Sequence, residues 1–224
     1  MLPSEIKSSL LIASIYSLRM LGIFLILPIF SIYASELSGS PTEFQIGLAF
    51  GVYGLTQAIL QIPFGMSSDR FGRKPMIYLG LLLFIIGSLV AGTAEEIEWV
   101  IIGRAIQGSG AISAVLTAFL SDLTSDRSRT KGMAIIGASI GLTFALSLVI
   151  SPILNKFIGV PGIFWLMAFL AFIALGVVRF FIHEPFNKKE IQSTTINDIK
   201  TILYNFDLNR LNFGIFTLHA SQIS

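Results

Sequence analysis

The chain has 224 residues, of which 54% are hydrophobic and only 12% charged, and its mean hydropathy is +0.80. A globule of that length has too little interior to hide so many apolar side chains, so the composition points to an integral membrane protein. Fifteen Lys and Arg against thirteen Asp and Glu give a net charge of +2, and the lack of cysteine excludes both a disulfide framework and a thiolate metal site.

A membrane-spanning helix needs about 20 predominantly apolar residues. Six stretches are long enough, at roughly 10–34, 44–64, 75–94, 99–121, 132–155 and 160–182. Runs such as Leu79–Ile86 show no alternation of period two, which excludes barrel strands and leaves helices. Twelve of the fifteen basic residues fall on one side of this layout (Lys7, Arg70, Arg73, Lys74, Arg127, Arg129, Lys131, Arg179, Lys188, Lys189, Lys200 and Arg210), Lys156 falls on the other, and Arg19 and Arg104 lie within spans. That asymmetry places the N-terminus and the segment after the sixth span in the cytoplasm. The pI near 9.0 therefore describes a cytoplasmic face and gives no argument for nucleic acid. His183 and His219 are too few and too far apart for a metal centre, and neither a metal nor a cofactor is expected.

The first apolar run is 25 residues long, which is enough to remain as a span rather than be removed as a signal. It carries Tyr16 and Arg19. Arg19 lies about 15 Å beyond the start of the run by helical rise. A charge at that depth costs at least about 2.5 kcal/mol, so Arg19 either faces a cavity or partner or snorkels to the interface. The second run places Gly47, Gly51, Gly54 and Ala58 on one helical face, where another helix can approach closely. Tyr53 and Gln57 add polarity, and the Gln57/Gln61 pair either lines an aqueous path or bonds to neighbouring helices.

Between the second and third runs, the stretch from Gly65 to Pro75 concentrates Asp69, Arg70, Arg73 and Lys74. Gly72 allows a tight turn, and Pro75 suits the first turn of the following helix. The third and sixth runs have almost no interior polarity and are expected to be supportive, lipid-facing helices. Any substrate path then runs among the first, second, fourth and fifth.

The fourth run contains Gly103, Arg104, Gln107, Gly108 and Gly110. Trp99 marks its outer interface and places Arg104 about 7–8 Å inward. After it, Asp122 opens a second charged loop, which either pairs with the first or stands independently of it. The fifth run has Gly137, Gly141 and Ala145 at intervals of four, with Ser139, Thr143, Ser147 and Ser151 on the neighbouring stripe, before Pro152. Gly54-Leu-Thr-Gln-Ala58 and Gly141-Leu-Thr-Phe-Ala145 form a faint repeat three helices apart, as inverted three-helix repeats predict.

The pattern Gly-x-x-x-Asp-Arg-x-Gly-Arg-Lys from Gly65 to Lys74 resembles the signature loop of the major facilitator superfamily, and it lies between helices two and three as in that family. The pattern Arg-x-x-Gln-Gly-x-Gly-Ala from Arg104 resembles the fourth-helix motif. The resemblance implies an all-α membrane protein: the six-transmembrane-helix N-terminal half of a twelve-helix carrier, built from two inverted three-helix repeats. It implies a six-helix bundle over 1–183, a cytoplasmic connector over 184–210 and a truncated start of helix seven over 211–224.

It also implies that Gly65, Asp69, Arg70, Gly72, Arg73, Lys74 and Asp122 form a gating cluster. Within it, an Asp69–Arg73–Asp122 network joins helices two and three to helix four, and Asp69 contacts a helix of the second half. Arg104 is implied in proton coupling, with Arg19, Gln107, Tyr16, Tyr53, Gln57 and Thr143 as cavity candidates from helical phase and polarity. Gly47, Gly51, Gly54, Gly108, Gly110, Gly137, Gly141 and Pro152 are expected at helix packing. Ser151-Pro152 stands where the drug antiporters of the family carry Gly-Pro, a departure from their pattern.

The expected function is proton-coupled transport, in the export direction, of a small molecule across a bacterial inner membrane. None of the six runs holds an interior Asp or Glu, so a proton-carrying group would come from His219 or from a second half. The chain is therefore expected to be inactive alone, with lipid, protons, a small-molecule substrate and a missing C-terminal half as partners. Two alternatives are a half-transporter that works with a separately encoded C-terminal half or a copy of itself, and a non-transporting membrane interaction protein. No nucleophile–base pair, phosphate loop or metal-ligand spacing suggests an enzyme.

Overall fold

A computed structural model describes residues 1–182 and 205–223. The chain divides into two units, Met1–Lys188 and Lys189–Ser224. Within the first, α1 (Pro3–Ile26) begins with Pro3, and the Leu2 amide donates to Glu5 Oε2 at 2.7 Å, which closes the first turn. Pro28 has no amide to continue the ladder, and the helix restarts as α2 (Phe30–Ser35). A capping box starts α3 (Glu43–Phe71): the Gln45 amide donates to Thr42 Oγ1 at 3.3 Å, and the Thr42 amide donates to Gln45 Oε1 at 2.9 Å.

Gly72 ends α3 and begins α4 (Arg73–Gly92), with φ of 100° and ψ of 156°. A side chain would be strained in that conformation, so glycine sets the reversal of the signature loop. The fourth apolar run is two helices, α5 (Ile97–Ser109) and α6 (Ser113–Leu123), separated at 110–112. The last long helix, α7 (Asp126–Phe181), breaks at Gly159, where φ is 66° and ψ 177°, giving arms over 126–158 and 160–181. Among the described residues, five helical stretches are apolar and long enough to cross a membrane, and the Gly159 break turns the fifth into two. The unit thus has six helical stretches fit to cross a membrane, the first of them over Pro3–Ile26 instead of 10–34 because Pro28 interrupts that run.

The main packing pairs are α1 with α7, α4 with α5 and α7, and α3 with α5. The backbones of α4 and α5 come into direct contact. A Cβ at Gly87 would lie 2.5 Å from the Gln107 amide nitrogen and the Gly103 carbonyl oxygen, and one at Gly103 would lie 2.7 Å from the Ala91 nitrogen. Leu79, Leu82 and Ile86 of α4, and Trp165, Phe169 and Phe172 of the second α7 arm, are exposed, as suits helices that touch lipid. The opposite face of α4 is not merely supportive, because Phe84, Gly87 and Ser88 are buried at the centre of the bundle.

The second unit contains α8 (Phe206–Ile223), which takes in the apolar run from residue 211. Residues 183–204, Ser224 and the side chain of His219 lie outside the described set.

Candidate functional site

Two clusters of polar side chains organise the six-helix unit. At the α3/α4 turn, Arg73 is held by three acceptors. Its Nη1 lies 2.5 Å from Asp69 Oδ1 and donates to Ser68 Oγ at 2.6 Å, while its Nε donates to Asp122 Oδ2 at 2.9 Å. The turn supplies Asp69 one helical turn before Arg73, and the end of α6 brings Asp122. The anticipated triad is thus assembled, with the addition of Ser68, which sequence reasoning missed. Gly65 packs toward α6, its Cβ position 3.8 Å from the Ala114 methyl. Arg70 is exposed and lies over the Phe71 ring at 5.5 Å. Lys74 follows Arg73 in the first turn of α4.

The second cluster lies inside the bundle and centres on Tyr53 of α3. Arg19 of α1, 1% exposed, donates from Nη2 to the Tyr53 hydroxyl at 3.2 Å and to Gln57 Oε1 at 3.4 Å, and from Nη1 to Ser113 Oγ at 3.0 Å. Arg104 of α5, 2% exposed, covers the Tyr53 ring with its guanidinium 4.7 Å from the centroid. It also donates from Nε to the Ala49 carbonyl at 3.3 Å and from Nη1 to Gln107 Oε1 at 3.1 Å. Gln107 passes the chain on, donating from Nε2 to Ser88 Oγ of α4 at 2.7 Å. Tyr16 closes the other end, donating to the Ser113 carbonyl at 2.6 Å with Thr117 Oγ1 3.0 Å away.

Polar contacts therefore run from α1 through Tyr53 to α5 and α4. Arg19 does not snorkel, and Gln57 bonds to a neighbouring helix. Of the cavity candidates, Tyr16, Arg19, Tyr53, Gln57, Arg104 and Gln107 come together. Thr143 does not join them: it is buried, and its hydroxyl donates to the Ser139 carbonyl of its own helix at 2.7 Å. Ser88 and Ser113 were not anticipated. The only legible signal for Ser88 was a lone hydroxyl within an otherwise apolar run.

The packing glycines fall into two groups. Gly108 and Gly110 lie in closed contacts, where a Cβ would meet Thr56 and Tyr53 at Gly108 and the Gly80 carbonyl at Gly110. By contrast, nothing in the described structure comes within 4 Å of a Cβ position at Gly47, Gly51, Gly54, Gly137 or Gly141. These small-residue stripes do not pack against any helix of their own unit. Their faces point outward, and the close approaches are made by Gly80, Gly87 and Gly103 in their place. Pro152 is exposed within α7, and the Ser151 hydroxyl before it donates to the Leu25 carbonyl of α1 at 2.5 Å.

A third contact ties the start of α1 to the start of α7. Glu5, 7% exposed and ahead of the apolar run, accepts the Ser125 amide at 2.8 Å on Oε1 and the Ser128 hydroxyl at 2.9 Å on Oε2. The Ser125 amide and then the Leu2 amide are the main reasons its carboxyl is held near pKa 2 instead of 4.5, so it is ionised throughout the physiological range.

The arrangement of signature turn, fourth-helix arginine and six crossings agrees with a comparison against known proteins. The Major Facilitator Superfamily model matches residues 12–219. The chain belongs to this superfamily. The inner membrane transport protein YajR of Escherichia coli K12 is 43% identical over 228 residues, covering 100% of this chain and 50% of YajR. The multidrug resistance protein MdtL of Shewanella sp. ANA-3 is 30% identical over 166 residues, covering 71% of this chain and 41% of MdtL. Among solved structures, the human organic anion transporter MFSD10 superposes with a TM-score of 0.64 at 22% identity, covering 79% of this chain and 47% of that one.

The chain spans about half the length of the curated relatives it matches. As a superfamily member it is a multi-pass membrane protein of the transporter class and not an enzyme, and its six-helix unit is the N-terminal half of the facilitator fold.

Proposed function

We propose that the chain is the N-terminal half of a proton-coupled secondary carrier that exports a small molecule across a bacterial inner membrane, and that it is inactive until completed by a C-terminal half. The observation that carries this reading is the pair of buried arginines joined through Tyr53 in a bundle whose spans hold no carboxylate. Such groups are retained inside a membrane where charge or substrate must pass. The open faces at Gly47–Gly54 and Gly137–Gly141 support a second half, since small residues let another helix bundle approach closely. Alternating access rocks one half against the other around a site at their junction.

The Asp69–Arg73–Asp122 clamp then holds the cytoplasmic ends of α3, α4 and α6 together as the halves rock, and Asp69 remains available to a helix of the second half. Export is supported by the likeness to MdtL, whose name describes multidrug resistance. The inner membrane is supported by the likeness to YajR, and a cytoplasmic N-terminus and 184–210 connector by the skew of Lys and Arg.

The test is proton movement in everted membrane vesicles. Cells express the native product carrying this sequence, and a compound panel is added to energised vesicles containing a pH-sensitive dye. At least one compound should collapse the pH gradient in a saturable manner, and Arg104→Ala should abolish that response at equal expression. A saturable response unchanged by Arg104→Ala would refute it.

A further inference from the structure

Arg19 and Arg104 do not use their charge in the same way. Arg104 is enclosed: Nη1 is fixed by Gln107, which is itself locked to Ser88, Nε reaches the Ala49 carbonyl, and the cation faces the Tyr53 ring. Arg19 meets neutral oxygens and lies more loosely over the Phe84 ring, 5.9 Å from its centroid, and its longest hydrogen bonds, at 3.2 and 3.4 Å, are both on Nη2. Its Nε is buried and has no partner. Nε and Nη2 form the side-on edge of the guanidinium, whose parallel N–H groups match the two oxygens of a carboxylate. This is therefore the edge that is under-used.

The ion pairs found among the described residues, Arg73 with Asp69 and Asp122 and Arg129 with Asp126, all lie at helix ends. A buried cation supported only by neutral groups carries a desolvation penalty that an anion at the under-used edge would offset in large part. The charge of Arg104 beyond the same tyrosine adds to the attraction. Access is at hand, because Gln57 and Ser113, which flank the guanidinium, are half-exposed.

We propose that the Nε–Nη2 edge of Arg19, with Tyr53 and Gln57, is the receptor for a carboxylate-class anion, and that this anion is carried by the transported molecule. The inference deepens the carrier reading and rests on it. It makes the substrate an organic anion or a zwitterion that presents its carboxylate to helix one.

The test uses the 224-residue chain in nanodiscs of zwitterionic lipid, with sodium benzoate as probe and with sodium chloride and tetraphenylphosphonium chloride as controls at equal ionic strength. Benzoate is expected to raise the unfolding midpoint in a saturable manner, while neither control does so. Arg19→Gln should abolish the shift, and Arg19→Lys, which keeps the charge but not the fork, should weaken the apparent affinity at least tenfold. Should Arg19→Gln fail to fold, Gln57→Leu provides the second variant and is expected to alter the benzoate affinity.

No saturable benzoate shift in the unsubstituted chain, an equal shift in Arg19→Gln, or a shift by the phosphonium cation would each overturn the proposal. The same titration on the assembled two-half protein separates the source of the anion. If benzoate binding is lost on assembly, a carboxylate of the second half occupies Arg19, and the assignment to substrate fails. A vesicle response lost in Arg104→Ala together with an absent benzoate effect would leave the carrier standing and remove only this inference.

Discussion

Adding one methyl group at Gly87 should separate α4 from α5, while the same change at Gly47 should do nothing. At Gly87 the new Cβ would lie 2.5 Å from the Gln107 amide nitrogen and the Gly103 carbonyl oxygen, both backbone atoms that no rotamer change can move. Relief to an ordinary contact requires the helices to part by about 1 Å, and a gap of that size forfeits a quarter to a half of the dispersion attraction of the atoms that face it. Overpacking of this kind costs about 1–3 kcal/mol. The 2.7 Å bond from Gln107 to Ser88 would stretch beyond hydrogen-bond range as well. A bond between membrane helices contributes about 0.6 to 1.7 kcal/mol.

Together these effects give about 2–4 kcal/mol, or a fall in unfolding midpoint of about 10 °C at roughly 2–4 °C per kcal/mol for a chain of this size. At Gly47 the Cβ would meet nothing within 4 Å. Gly47→Ala should therefore stay within about 0.5 kcal/mol of the parent. The assay is thermal unfolding of the purified chain in detergent, followed by the loss of its monodisperse elution peak. Equal stability of Gly87→Ala and the parent, or equal damage from both substitutions, would refute the packing described for α4 and α5.

Other consequences concern the polar contacts. The depressed pKa of Glu5 means that its contribution is fully present above the unfolded value of 4.5 and is lost as pH falls toward about 2. The midpoint difference between the parent and Glu5→Gln should thus be constant above pH 5 and shrink across that acid window, as read by thermal unfolding at stepped pH. Arg73→Gln combined with Asp122→Asn in a double-mutant cycle should give a coupling of about 1 kcal/mol or less that weakens in high salt, because Asp122 is exposed. Gln107→Leu removes the Arg104 and Ser88 partners together and should cost about 1–3 kcal/mol in thermal unfolding. Gln107→Glu, which can still accept from Arg104, should recover part of that loss.

The crossings were legible because a hydrocarbon layer requires long apolar helices and leaves them visible along the chain. The Arg73 clamp was legible in part: Asp69 and Arg73 are four apart, but spacing left Asp122 free to stand in an independent charged loop, and only the family resemblance brought it to Arg73. The inner cluster could be read only in part. Arg19, Tyr53, Gln57 and Arg104 were conspicuous as polar residues in apolar runs, but helical phase fixes only the face a residue occupies and not the helix it meets.

Ser88 shows the limit, because its role depends on α4 coming within backbone contact of α5. That pairing is set by Gly87 and Gly103, which are sixteen residues apart. The glycine stripes at 47–54 and 137–141 taught the converse. Their spacing signals close packing, yet nothing in a helical period says whether the partner is in the same unit. Glu5 was missed because a carboxylate before an apolar run reads as a solvated end, whereas the chain returns 120 residues later to cover it.

The outward-facing glycine stripes call for a second half, and the mass of the native assembly tests this most directly. Protein carrying this sequence would be extracted gently from its own membrane and weighed by native mass spectrometry. The expected species has about twice the mass of 24.4 kDa, either as one longer chain or as this chain bound to another six-helix unit, with the Gly47 and Gly137 faces covered. A lone 24.4-kDa chain that drives saturable proton exchange in vesicles would contradict it.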